Sequence, residues 1–227
     1  MIQLKSSRKR NKNKEGSAYK IVSYLSFYFL LMLFIAAIIL YNYSYISTLL
    51  AEVLTTALFS LLLPALSFAY LAHKGMSFSQ ALSNMGLIQK LSVKRIVLLG
   101  LMVFVIIFVL EIMISIWSDI TSISINTNSC SIVTGMPLWF ILFVALIGPL
   151  DEEIFFRGFL VKRIGIIPSA LLFAVLHAGY GSTFGIDIIA ALIFGLVAGY
   201  VFKKTESIYP TLIAHILVNA IAVIGCL

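Results

Sequence analysis

Three adjacent carboxylates, Asp151, Glu152 and Glu153, stand with Arg157 in the run DEEIFFRG, inside an otherwise apolar stretch. Ionisable groups in such surroundings are costly to keep and tend to carry function. Glu153 and Arg157 are four residues apart, so on a helix they share a face and can pair, the guanidinium neutralising one carboxylate. Glu152 is turned about 100° from Glu153. That leaves it as the carboxylate without a built-in counter-ion, and hence the candidate general base. Further along the chain lie His177, in FAVLH, and His215 with Asn219, in HILVN. The spacing of His215 and Asn219 presents two hydrogen-bond donors on one helical face.

Counting about 1.5 Å per residue from the nearest basic helix end places Glu152 roughly 15 Å deep, His177 roughly 20 Å and His215 roughly 12 Å. Three helices thereby bring their polar groups to one layer. Peptide hydrolysis needs a water deprotonated in place and donors aimed at the oxyanion that develops on the carbonyl. Glu152 with His177 can hold and deprotonate the water, while His215 and Asn219 supply donors. No serine or cysteine nucleophile is required, and neither Ser169 nor Ser182 has a helical register with the group. Two other readings stay open. The acids, arginine and histidines can form a structural polar knot between helices, or Glu152, His177 and His215 can ligate a zinc ion that keeps one position open for water. Glu52 and Glu111 are solitary acids in earlier apolar runs, with no obvious partner.

The elements that must position these groups follow from composition. Of 227 residues, 61% are hydrophobic and 11% charged, with a mean hydropathy of +1.09. That much apolar surface does not fit inside a soluble core, so lipid must be the solvent. Only helices and closed barrels satisfy their backbone groups in lipid, and the apolar runs are helix-length rather than the ~10-residue alternating strands of a barrel. The expected fold is an all-α, polytopic transmembrane bundle of about seven helices, near 21–41, 46–72, 96–117, 136–162, 164–178, 186–203 and 207–225. Residues 73–95 form a polar, basic stretch broken by Gly75 and Gly86, suited to a short interfacial helix.

Residues 1–20 read as a disordered basic arm holding seven of the sixteen Lys and Arg, followed by a single transmembrane domain, 21–227, with its motifs in 150–220. The arm has no small-residue cleavage site, so the first helix is expected to be retained. The net charge of +7 raises nucleic acid as a partner. The absence of aromatics among the arm's charges before Tyr19 favours anionic lipid instead. With the N-terminus cytoplasmic, the arm and segments 73–95, 157–163 and 203–206 hold all sixteen Lys and Arg, as positive-inside topology requires.

The strings Glu152-Glu153-x-x-x-Arg157, Phe173-x-x-x-His177 and His215-x-x-x-Asn219 resemble the CPBP family. This family comprises CAAX proteases, type II CAAX prenyl endopeptidase-like enzymes and bacteriocin-processing or bacteriocin-immunity proteins, also called glutamic intramembrane endopeptidases. The Met85-Gly86-Leu87 turn is similar to a short element many members carry before a membrane span. The resemblance implies that Glu152 is the base, supported by Glu153 and Arg157, that His177 positions the water, and that His215 and Asn219 form the oxyanion hole. It further implies a cavity open toward the cytoplasm, no cofactor, and a membrane-associated peptide or protein substrate. A non-catalytic immunity or binding protein is the rival from another class. A proton-coupled transporter is less suited, because no repeated halves with broken helices are visible. The compact chain and plain basic arm point to a prokaryotic cell membrane.

The topology puts Cys130 and Cys226 on the outer face, where pairing is chemically allowed. After mild reduction of intact cells, a membrane-impermeant maleimide should label both. Labelling only in opened cells would invert the topology.

Overall fold

The computed structural model describes residues 2–88, 90–121, 135–177 and 186–225. Cys130, Cys226 and Ser182 lie outside them. The described residues are helical, without a strand, and the chain divides into two compact units, Met1–Asn84 and Met85–Leu227.

The first unit holds α1 (Ile2–Asn42), α2 (Thr48–His73) and α3 (Phe78–Asn84). The α1 backbone is helical from Ile2, through the stretch whose composition predicts a disordered arm. No proline interrupts it, and the apolar half supplies the helical nucleus that a free polar segment lacks. Ser47 caps α2 by accepting the Leu50 N–H at 3.3 Å. At its far end Gly75 takes a φ of +79°. The Met76 and Gly75 amides there return to Leu71 and Ala72 carbonyls at 3.1 and 3.0 Å, a Schellman closure. Ser77 and Gln80 then cap α3 reciprocally, at 2.8 and 3.4 Å. This is the short helix expected in the polar linker.

The second unit begins with α4 (Val93–Thr121). A continuous helical rod follows, made of α5 (Leu138–Leu146), α6 (Gly148–Glu152), the π-helical segment π1 (Glu153–Val161) and α7 (Lys162–Ile164). The unit is completed by α8 (Ile166–His177), α9 (Ile186–Thr205) and α10 (Tyr209–Ile224). Here α9 packs along α8, α10 packs along α4, and π1 leans on both α8 and α9.

Among the described residues, four helical stretches are long and apolar enough to cross a membrane: Ser17–Asn42, Thr48–His73, Val93–Trp117 and Ile188–Thr205. The apolar helices α8 and α10 are shorter, with 12 and 16 residues. They rise about 18 and 24 Å, less than the ~30 Å hydrocarbon core. Leu25, Phe29 and Met32 on α1 and Val105, Val109 and Met113 on α4 are exposed. Apolar surface on that scale is what a lipid-facing helix presents. The molecule is a multi-pass membrane protein.

Small residues set how closely the second unit packs. Gly100 faces Ile213 of α10, and a Cβ on Gly195 would lie 2.9 Å from the Ala170 Cβ of α8. The Met85-Gly86-Leu87 turn wedges between π1 and the α9–α10 connection. A Cβ on Gly158 of π1 would lie 2.6 Å from the Met85 carbonyl oxygen. Gly86, at φ +76°, would place one 2.7 Å from the Glu206 carbonyl oxygen. The Ile208 amide donates to Gly86 at 3.3 Å, and the Tyr209 hydroxyl to Leu87 at 2.8 Å. On the surface beside this turn Lys90 pairs with Glu206 at 3.2 Å and holds its carboxyl below the usual carboxylate range. Both groups are exposed, so the pair contributes little stability.

Gly158→Ala should displace the Met85 turn and cost about 1–3 kcal/mol through overpacking. Gly75→Ala meets no neighbour within 4 Å and should cost only its left-handed backbone strain, about 1–2 kcal/mol. Thermal unfolding in detergent separates them: Gly158→Ala must also loosen protease protection of the α9–α10 connection, and intact protection there would count against the wedge.

Candidate active site

The acids come from one rod. Glu152 is the last residue of α6, and Glu153 opens π1. A change to i→i+5 hydrogen bonding widens the helix locally, and such segments recur at functional sites. Residues four apart still share a face there, so Arg157 reaches back to Glu153, Nη1 to Oε1 at 3.0 Å. The two side chains are 1% and 0% exposed. At that burial neither charge is sustainable without the other. Asp151, also buried, uses Oδ1 to accept the Glu152 amide at 2.9 Å.

His215, from α10, stands between the glutamates. Its Nδ1 lies 3.1 Å from Glu153 Oε1, and its Nε2 lies 3.6 Å from Glu152 Oε2. Adjacent residues on a helix point apart, yet an imidazole carries its nitrogens on opposite edges and so addresses both. A carboxylate already paired with Arg157 can only accept, so Nδ1 carries a proton and Nε2 turns toward Glu152. Two carboxylates against one guanidinium leave the cluster one charge short of neutral. The Glu152 side chain is 26% exposed while that of Glu153 is fully buried, so Glu152 is the more accessible of the two acids, although its Oε2 beside His215 is itself buried.

Aromatic rings enclose this cluster. The Arg157 guanidinium lies over Phe173 of α8 at 4.3 Å and over Phe194 of α9 at 4.9 Å. His177 ends α8 with its ring 4.3 Å from that of Phe173, which is 5.8 Å from the His215 ring. The His177 Nδ1 donates to the Phe173 carbonyl at 2.8 Å, because that oxygen can only accept, and this puts the lone pair on Nε2. Asn219 is half-buried one helical turn beyond His215. Ser169 spends its hydroxyl on the Phe156 carbonyl at 2.8 Å and is buried, a packing role.

Glu152, Glu153, Arg157 and His215 therefore converge directly, and His177 joins them through Phe173. Of the three residues considered for zinc, Glu152 and His215 approach each other. Among the described residues no group of three or more His, Cys, Asp or Glu is disposed to hold a metal ion. Glu111 is half-buried on α4, and Glu52 lies in the first unit beside Tyr41, Thr48 and Thr55. Phe194 escapes a search of the sequence for polar groups, because an apolar residue within an apolar helix carries no signal.

A buried acid–arginine–imidazole cluster inside a helical membrane protein defines a class of site, and the comparisons with known proteins fall on the same segment. Residues 134–221 match the family of type II CAAX prenyl endopeptidase, Rce1-like, proteins. That interval contains all the candidate residues and bears out the resemblance to CAAX proteases. The uncharacterized protein YpbD of Bacillus subtilis (strain 168) is 32% identical over 81 residues, 36% of this chain and 42% of that protein. The chain thus spans less than half the length of this relative. No solved structure matches.

Arg157→Leu leaves Glu153 as an uncompensated buried charge and should cost about 3–5 kcal/mol. Combining it with Glu153→Leu should restore most of that stability in a melting experiment. A double variant as unstable as the single one would mean that the pair is not the reason.

Proposed function

We propose that this chain is an intramembrane endopeptidase of the glutamic type, acting on a membrane-associated peptide or protein. The observation that carries the reading is His215 held between two glutamates, one neutralised by Arg157 and the other reachable from outside the cluster. The match of residues 134–221 to Rce1-like endopeptidases supports the same reaction class.

Glu152 removes a proton from a water that His177 Nε2 orients as acceptor, and the hydroxide attacks the scissile carbonyl. Charge developing on the carbonyl oxygen is met by donors from α10, His215 in its protonated form and Asn219 one turn along the same face. The proton taken by Glu152 then passes to the leaving amine, so the peptide bond and one water become a carboxylic acid and an amine. Glu153 and Arg157 take no part in bond making. Their pairing keeps Nδ1 protonated and the imidazole turned toward Glu152, as a buried carboxylate does for a catalytic histidine.

Mass spectrometry of membrane and secreted peptides should reveal products in cells with the active protein that vanish with Glu152→Gln at unchanged protein level. With purified protein the loss should be about 10²–10⁴-fold. A Glu152→Gln variant with full biological effect would favour a protein that acts by binding. Activity lost in chelator and restored by zinc alone would replace the metal-free chemistry with a zinc-bound water.

A further inference from the structure

We infer that Phe194 is a positioning residue for this site: its ring fixes the orientation of both the Arg157 guanidinium and the His215 imidazole. The inference rests on the peptidase reading for its kinetic consequence, though not for the geometry. Arg157 is buried, and its ion pair with Glu153 runs through one nitrogen, Nη1. A guanidinium held at one point can pivot. Two ring faces, Phe173 at 4.3 Å and Phe194 at 4.9 Å, restrict that pivot. The Phe194 ring also lies 4.7 Å from the His215 ring, at an interplanar angle of 54°. One side chain therefore lies against both the guanidinium and the imidazole of the cluster, and it does so while almost wholly buried, at 4% exposure.

The helix packing places the ring at this depth. Gly195, the next residue, lets α9 approach until its backbone meets Ala170 of α8, where an added Cβ would fall 2.9 Å from the Ala170 Cβ. That approach brings Phe194 to 6.0 Å from Phe173, which sits one turn beyond Ala170 on α8. The two phenylalanines flank the guanidinium from different helices, and Phe194 extends the contact to the imidazole of a third. The negative ring face favours the positive charge of the guanidinium, and the imidazole packs against the same ring at a tilt. The ring thereby keeps His215 Nε2 aimed at Glu152 while the proton moves from water to acid and on to the leaving amine.

The test uses the full chain in detergent or vesicles. Phe194→Leu preserves apolar filling but removes the ring face, and kcat should fall about tenfold with KM unchanged. Phenylalanines carrying one, two and three fluorines at position 194 keep the shape while weakening the ring's attraction for cations, so kcat should fall stepwise along that series. The second readout needs no activity. The chain has three histidines, and His73 is fixed elsewhere by the Tyr24 hydroxyl at 3.0 Å. Nitrogen spectra of labelled imidazoles should therefore show His215 shifted in Phe194→Leu, with His73 unmoved. An unshifted His215 overturns the inference whatever the kinetics, as does a kcat indifferent to the fluorine series. If the wild type shows no Glu152-dependent cleavage, the peptidase reading fails instead, and the imidazole spectra still decide whether Phe194 orients His215.

Discussion

Adjacent glutamates served by one guanidinium, with Glu153 fully buried and Glu152 26% exposed, are the constraint to which the rest of the second unit answers. In a low-dielectric interior an unbalanced charge costs several kcal/mol, and a pair is tolerable only with close, well-aligned partners. Glu153 and Arg157 satisfy each other at 3.0 Å. Glu152 is left outside that pair, with its Oε2 3.6 Å from the His215 Nε2. An acid outside the ion pair and beside an imidazole is the arrangement that the proposed general-base chemistry requires. The same electrostatic requirement that makes the cluster expensive to bury thus leaves one acid on which that proposal rests.

Holding such a cluster takes four helical elements, and each contributes by a different physical route. The rod of α6 and π1 supplies the acids and the arginine on one wall. The imidazole comes from α10, short enough to end within the membrane's thickness, and the ring faces come from α8 and α9. Glycines at 100, 158 and 195 let backbones approach where a methyl group would collide. Helices in lipid gain little from hydrophobic burial against one another, so close van der Waals contact of this kind has to hold the bundle together. The Met85 turn completes the arrangement by seating its backbone against π1, the segment that carries both Glu153 and Arg157.

Much of this was readable in advance. Helix occurs in all seven predicted stretches, although α1 already starts at Ile2 and the fourth is divided into α5, α6, π1 and α7, because the period and length of an apolar run are local properties that lipid rewards directly. The Glu153–Arg157 pair was equally legible, since four-residue spacing puts side chains together in either helical form. The π-helical hydrogen bonding of 153–161 was not, because a widened turn is decided by what packs on it, here Met85 against Gly158. His215 was expected among the donors, but its second contact, to Glu153, depends on where α10 crosses the rod. Phe194 was invisible for the opposite reason: its chemistry resides in what faces its ring.

The amino-acid order alone therefore determined that the chain is helical, lies in a membrane, and carries an acid pair, an arginine and two histidines on late helices, since these depend on composition and on spacing along one helix. Only the tertiary structure decided how deeply each glutamate is buried, that one imidazole lies against both, and that rings from α8 and α9 flank the arginine. Those outcomes depend on distances between helices remote in the chain, which are set by side-chain volume and the glycine contacts rather than by any local periodicity.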